Sequence, residues 1–378
     1  MTPITTTEAL RDFCAKLANQ PFITVDTEFM RETTYWPRLC LIQAASATDA
    51  AIIDPMAEGL DLTPFLDLLR DESILKVFHA ARQDVEIFVK LGAMPRPMFD
   101  TQVAAMAAGF GDQVSYEALV RQMLRQEVDK GSRFTDWARR PLSDAQLVYA
   151  LGDVTHLAAR YPKLRDRLQK DGRLDWVMAE MEELTDPALY DTDPEKAWKR
   201  LKPKKYSAKY LAAFVATAVW RERAAQERDQ PRGRILKDEA IDEIAAQGPT
   251  DPDAFNRLRS VPKGFGASRL GIELSAELKR VLADPEAFAP KLERPAHNQP
   301  APPSVVELLK AKSDNAGVAT KLLANVADLE KIALDDEADV DALKGWRRQL
   351  FGEDALKLKR GEIALVLNGA RVEVVEIE

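Results

Sequence analysis

Phe22-Ile23-Thr24-Val25-Asp26-Thr27-Glu28-Phe29 combines the residues of a sheet core with two carboxylates. Phe22, Ile23, Val25 and Phe29 favour an extended chain packed against other apolar groups. Side chains alternate faces along a strand, so Asp26 and Glu28 point the same way. Two anions on one patch cost repulsion and desolvation unless a proton or a cation offsets them. Hard divalent cations such as Mg²⁺ take oxygen ligands of this kind. An isolated Asp-x-Glu is more often a strand end facing water, so further ligands have to come from elsewhere in the chain.

Upstream, Thr5-x-x-Glu8 has the form of a capping box opening a helix that reaches Ala18. Downstream, Leu39–Ala44 (LCLIQA) and Ala51–Asp54 (AIID) are short apolar runs ended by turn residues. Adjacent strands of this kind predict an antiparallel or mixed start to one sheet. Thr63–Leu69 reads as a helix and Ile74–Ala80 (ILKVFHA) as a fourth strand, after which RQDVEIFVKLG turns helical on Val85, Phe88 and Val89. Strand followed by helix predicts an α/β domain, a central mixed sheet flanked by helices. Asp84 falls in the first turn of that helix, where an acid favours the positive end of the dipole. The same place, beyond a strand's C-terminal end, is where α/β sheets present functional groups.

Helices are expected over Asp100–Ala108 and Tyr116–Leu124. A longer one opens at Ser143-x-x-Gln146, a second capping box, with Pro162 as a kink or break. On it Tyr149 and Asp153 share a face. Alone, that pair is more often a hydrogen-bonded surface feature than a catalytic one.

In order along the chain, DTE (Asp26–Glu28), HAARQD (His79–Asp84) and YALGD (Tyr149–Asp153) resemble the three exonuclease motifs of the DEDD superfamily, in its tyrosine-containing DEDDy branch. The likeness extends to the flanking signatures of ribonuclease D: RETTYWPRLCLIQ (Arg31–Gln43), KVFHAARQDVEIF (Lys76–Phe88) and DKGSRFTDWARRPLSDAQLVYALGDV (Asp129–Val154). The resemblance implies a ribonuclease H-like mixed sheet flanked by helices over 1–195. It also implies a metal-dependent 3′→5′ exoribonuclease that releases nucleoside 5′-monophosphates from RNA 3′ ends, tRNA precursors among them.

The implied chemistry uses two divalent cations, Mg²⁺ or Mn²⁺, about 3.5–4 Å apart, one presenting the attacking hydroxide and one stabilising the leaving oxygen. By resemblance, Asp26 bridges both ions, Glu28 and Asp153 complete the site of the first, and Asp84 holds the second largely through water. Tyr149 orients the attacking water. With an ordinary pKa of about 10, a phenol is a positioning group at neutral pH rather than the principal base. Phe29, Tyr35 and Trp36 are expected to stack on terminal bases, with core packing as the rival reading. His79 is expected to contact substrate or to pack; beside an all-oxygen site it is a poor ligand. Trp137, Arg140 and Pro141 fit a rigid turn.

Composition changes after about residue 190. From Lys196 to Tyr210 the run KAWKRLKPKKYSAKY holds Lys196, Lys199, Arg200, Lys202, Lys204, Lys205 and Lys209 and no acid. The net charge of −8 argues against a polyanionic partner on average, yet nucleic-acid binding depends on local basic patches. A solvated face or linker is the other reading. Trp220–Arg223, Asp229–Pro231 and Ile235–Asp238 resemble the HRDC domain, a helical nucleic-acid-binding module, expected over 206–285. Asp284–Pro303 reads as an extended linker containing a solvated His297. In 304–378, GWRRQLFG (Gly345–Gly352) resembles a second HRDC repeat, so two all-helical HRDC-type domains are expected. The terminal ALVLNGARVEVVEI is open between a strand and a buried tail.

With 378 residues the chain is sized for about two or three domains. It has no run of about 18 apolar residues, and MTPITTTEALRDF lacks the basic and apolar regions of a signal peptide. A cytoplasmic monomer without a membrane partner is expected. Cys14 and Cys40 lie in apolar patterns as reduced core residues. Two alternatives remain open: a 3′→5′ DNA exonuclease with the same chemistry, told apart by the 2′-hydroxyl, and a non-catalytic RNA-binding scaffold, which the presence of all five motif residues disfavours.

Overall fold

In the computed structural model, which describes residues 2–124, 135–292, 300–369 and 371–377, Phe22–Met30 is a strand, β1. It shares one sheet with β2 (Arg38–Ala45), β3 (Ala50–Ile53), β4 (Leu75–Phe78) and β5 (Met98–Asp100), in the order β3-β2-β1-β4-β5. Being central, β1 is covered on both faces, and Ile23, Thr24 and Val25 have no exposed surface. β2 and β3 run antiparallel with Ile42 opposite Ile53. β4 lies parallel to both β1 and β5, with Ile23 opposite Lys76 and Val77 opposite Phe99. This is the mixed sheet expected from the sequence. β5 was not foreseen, because Met98-Phe99-Asp100 runs straight into a helix for which Asp100 is also the cap, accepting the Gln102 N–H at 2.7 Å.

The helices around the sheet are α1 (Thr7–Leu17), α2 (Thr63–Arg70), α3 (Arg82–Lys90), α4 (Thr101–Ala107), α5 (Tyr116–Leu124), α6 (Asp144–Lys170) and α7 (Leu174–Leu184). Thr6, not Thr5, caps α1: its hydroxyl accepts the Ala9 N–H at 3.3 Å. The Ser143–Gln146 capping box forms in both directions. α6 then runs on through Pro162, where a kink or break was expected, without ending there. Ala158, Tyr161, Leu164 and Leu168 stay buried on either side of the proline, and this packing outweighs one missing hydrogen bond. The turn before α6 is held by Arg140, which pairs with both carboxylate oxygens of Asp54 at 2.7 Å and donates to the Cys40 carbonyl at 2.8 Å. Cys14 and Cys40 are free and buried. Signature residues 129–134 and His297 lie outside the described residues.

The chain divides into two compact units: Met1–Glu28 with Leu39–Leu189 and His297–Glu378, and Phe29–Arg38 with Tyr190–Ala296. In the first, the C-terminal segment packs on the helices that flank the sheet. Trp176 stacks on Trp346, ring centroids 4.4 Å apart, and the Ala319 N–H donates to the Met106 carbonyl at 2.9 Å. Gly109, at φ +79°, has no room for a Cβ because the Gly317 carbonyl abuts it. The segment holds helices Pro303–Ala316, Val326–Leu334 and Glu353–Arg360, then an antiparallel hairpin of β6 (Ile363–Asn368) and β7 (Arg371–Glu376). The expectation that it is all-helical is therefore corrected. Leu365 stands opposite Val374 across the hairpin, and this pair lays one hairpin face on the core around Leu308 and Phe351.

The second unit is helical. α8 (Ala208–Glu227) packs against Asp238–Gln247 and Arg269–Ala283 over a core of Phe214, Ile241, Ile244, Phe255, Leu274 and Leu278. The segment after β1 belongs to this unit. Tyr35 is buried against Ala224, Ala225 and Ile235, and its hydroxyl donates to Glu222. Glu222, 1% exposed, also accepts from Arg200 at 2.8 Å and from Arg232 at 2.6 Å through both oxygens. In the basic run, Lys196 pairs with Asp191 and Lys204 with Asp242, while Lys199, Lys202, Lys205 and Lys209 are exposed. Among the described residues no helix is long and apolar enough to cross a membrane.

Candidate active site

β1 presents Asp26 and Glu28 on one face, and α6 brings Asp153 against them. One oxygen from each of these carboxylates lies within 4.8 Å of the others. Tyr149, one turn before Asp153, lines with it and Asp26 a cavity of about 510 Å³, within the range of small-ligand sites. Gln102, Tyr116 and His79 line the same cavity. The helix is placed by hydroxyls: Thr24, on the face of β1 that carries Asp26, donates to the Val154 carbonyl at 2.9 Å.

Asp84 is reached differently. The turn from β4 into α3 passes through Ala80 at φ +58°, a left-handed conformation that alanine adopts at a cost. The Asp100 carboxylate holds it there, accepting the N–H groups of Ala80 at 3.0 Å and Ala81 at 2.8 Å. Asp84 follows in the first turn of α3, buried, and accepts from the Thr27 hydroxyl. It stands outside the tight three-carboxylate group, yet the Asp26 charge acts on it.

These acids are buried close enough to act on one another. Burial, then the charges of Asp26, Asp153 and Asp84, pushes the Glu28 carboxyl up to about 10. Burial raises Asp26 to about 7, against the opposing hydrogen bond from the Thr27 backbone. Asp84 is raised well above the usual range by burial and then by Asp26. The Tyr149 phenol is raised by burial and then by Asp153, Glu28 and Asp26. A divalent cation would relieve this crowding, and the donor set fits one. At ligand distances of about 2.0–2.1 Å, two oxygens on one Mg²⁺ ion stand at most about 4.2 Å apart. Carboxylates within 4.8 Å of one another need only small rotations to share it.

The structure thus gathers Asp26, Glu28, Tyr149 and Asp153, with Asp84 adjoining. His79 lines the cavity, its Nδ1 3.0 Å from the Thr101 hydroxyl and its ring edge-on to Tyr116. Phe29, Tyr35 and Trp36 are not among the described lining residues. Phe29 follows Glu28 directly, so alternation turns it to the other face of the strand. Tyr35 is a core residue of the helical unit rather than a stacking platform, and Trp36 packs edge-on to it at 4.6 Å. Sequence reasoning missed Thr24, Thr27 and Tyr116. Two of them were within reach, since Thr24 shares a strand face with Asp26 and Thr27 lies between the two acids.

Residues 1–169 match a family described as 3′-5′ exonuclease, and 211–269 match the HRDC domain. Over 378 aligned residues the chain is 51% identical to Ribonuclease D of Nitrobacter hamburgensis, with 99% of each chain covered. The chain belongs to the ribonuclease D family. A second ribonuclease D, from Granulibacter bethesdensis, is 49% identical, with 99% of this chain and 96% of that one covered. The crystal structure of Escherichia coli RNase D, described as an exoribonuclease involved in structured RNA processing, superposes with a TM-score of 0.82 at 27% identity, covering 96% of this chain and 99% of that one. The ribonuclease D likeness read from the three motifs and their flanking signatures therefore holds over the whole chain, as does a mixed-sheet exonuclease domain followed by a helical HRDC domain.

Proposed function

We propose that this ribonuclease D family member carries out its 3′→5′ exoribonuclease reaction at the Asp26–Glu28–Asp153 cluster with Asp84, using two divalent cations, Mg²⁺ or Mn²⁺, on the 3′ ends of tRNA precursors and other small structured RNAs. The crowding of three carboxylates within 4.8 Å carries this reading. Asp26 adjoins Glu28 and Asp153 in the cluster and acts on Asp84, so Asp26, Glu28 and Asp153 would hold the ions with Asp84 beside them. Bound ions supply a hydroxide at neutral pH and stabilise the leaving oxygen. Tyr149 keeps its proton at neutral pH, since burial and neighbouring carboxylates hold its pKa up, so it aims the water rather than deprotonating it. Attack of water at the last phosphorus forms one P–O bond and breaks the bond to the 3′-oxygen of the preceding residue; the water gives up a proton, the 3′-oxygen takes one up as a hydroxyl, and a nucleoside 5′-monophosphate is released.

The exonuclease domain is assigned to 1–195, the HRDC domain to 206–285 and a second HRDC-like domain to 304–378. Exposed Lys199, Lys202, Lys205 and Lys209 support a role for the basic run in phosphate contacts, which add affinity without reading sequence. His79 contacts the terminal nucleotide from the cavity wall. The protein acts as a cytoplasmic monomer.

Asp26→Asn and Asp153→Asn should each abolish hydrolysis while RNA binding persists; turnover retained in both variants would remove the site assignment. An all-deoxy 3′ end should be degraded more slowly than a ribose one, and equal rates would favour the DNA exonuclease alternative.

A further inference from the structure

Three successive carbonyls of α6 are gripped by side-chain hydroxyls from two other elements. Tyr116, at the start of α5, donates to the Gly152 carbonyl at 3.1 Å and the Asp153 carbonyl at 2.7 Å. Thr24, on β1, donates to the Val154 carbonyl at 2.9 Å, its other acceptor being Ala45 at 3.3 Å. Interior helix carbonyls already accept the N–H four residues on, so the helix needs neither bond to be complete. Thr24 has no exposed surface, and valine would fill the same space in a strand with no hydroxyl to satisfy. The Tyr116 ring is itself held, with the Arg160 guanidinium 5.7 Å from its centre and the His79 ring edge-on at 5.5 Å.

We infer that Thr24 and Tyr116 are positioning residues that clamp α6 along its axis and so set where Asp153 and Tyr149 stand relative to Asp26 and Glu28. The inference rests on the metal-site reading above. β1 carries Thr24, Asp26 and Glu28 on one face, so the strand that supplies two ligands also fixes the helix that supplies a third. Tyr116 grips the carbonyl of the ligand residue itself. A helix rises only about 1.5 Å per residue. A shift of about 1 Å at reacting groups is enough to cost about a hundredfold in rate.

The test compares Tyr116→Phe, Thr24→Val and Thr24→Ser with wild type in the full chain. Calorimetric titration with Mn²⁺ in the absence of RNA reports ion affinity, kcat and KM are measured on single-stranded RNA, and Tm is measured in EDTA. Tyr116→Phe and Thr24→Val should each weaken Mn²⁺ binding about 10- to 100-fold and lower kcat comparably, as groups supporting metal ligands do. KM for RNA and Tm in EDTA should stay near wild type, and Thr24→Ser should restore most of both losses. Unchanged Mn²⁺ affinity and kcat in the two hydroxyl-free variants overturns the clamp. A loss of activity that merely tracks a fall in Tm overturns it too, and Tyr116→Phe decides alone if Thr24→Val does not fold. A wild-type protein that binds no Mn²⁺ fails the metal-site reading itself, and the clamp with it; where the wild type binds normally, any difference in the variants belongs to Thr24 and Tyr116.

Discussion

Burial raises the Asp26 and Glu28 carboxyls, with neighbouring acids adding to the rise at Glu28, and without ions an ionised Asp26 in this setting works against the folded state. In EDTA at pH 8, Asp26→Asn should therefore melt no lower than wild type, and added Mg²⁺ should raise the Tm of the wild type alone. A variant that melts several degrees lower in EDTA would show Asp26 to be structurally paired instead. Tyr149 should matter less than the acids. Losing one neutral hydrogen bond costs about 1–3 kcal/mol, roughly 5- to 150-fold in rate, so Tyr149→Phe should remain measurably active. Activity as low as that of Asp153→Asn would mean the phenol takes part in proton transfer.

At the scale of single elements, α8 carries a buried acid whose balance sets an acid limit. Burial alone would raise Glu222, but the bonds from Arg232 and Tyr35, the Arg232 charge and Arg200 outweigh it and bring it down to about 2. A depressed carboxylate contributes stability above its unfolded pKa and loses it as pH falls through the folded value. Glu222→Gln should thus lower Tm at pH 7, with the gap to wild type narrowing between pH 4.5 and about 2. The loss should not exceed about 3 kcal/mol, since Arg200 and Arg232 keep 50% and 35% of their surface in water. A gap independent of pH would assign the effect to packing.

Elements built from local signals were legible in the sequence: the Ser143 capping box, the alternation that pairs Asp26 with Glu28, and the spacing that pairs Tyr149 with Asp153. Features that depend on a distant partner were not. Tyr116 gives no sign in its own neighbourhood that its hydroxyl reaches the Asp153 carbonyl, and nothing in RETTYWPRL says that Tyr35 belongs to a core formed by residues 224–235. The terminal hairpin was half legible, because a short apolar run fits a strand or a buried tail and does not tell which surface covers it.

At the scale of the whole molecule, the C-terminal segment shares a compact unit with the exonuclease domain, joined through the Trp176–Trp346 stack and the pairing of Arg347 with Glu180 at 2.6 Å. Trp346→Ala should cost about 3 kcal/mol and make residues 300–377 an early target of limited proteolysis, leaving the sheet intact. Release of the segment at the wild-type rate would contradict a packed interface. What joins all three scales is the claim that acids from β1, α3 and α6 work together on an RNA 3′ end through bound divalent ions. Single-stranded RNA labelled at its 5′ end, incubated with Mg²⁺ and then with EDTA, tests it directly. The predicted result is a ladder of labelled products shortened one nucleotide at a time from the 3′ end with Mg²⁺, and no shortening with EDTA; internal cuts, early release of the labelled end, or undiminished turnover in EDTA would contradict it.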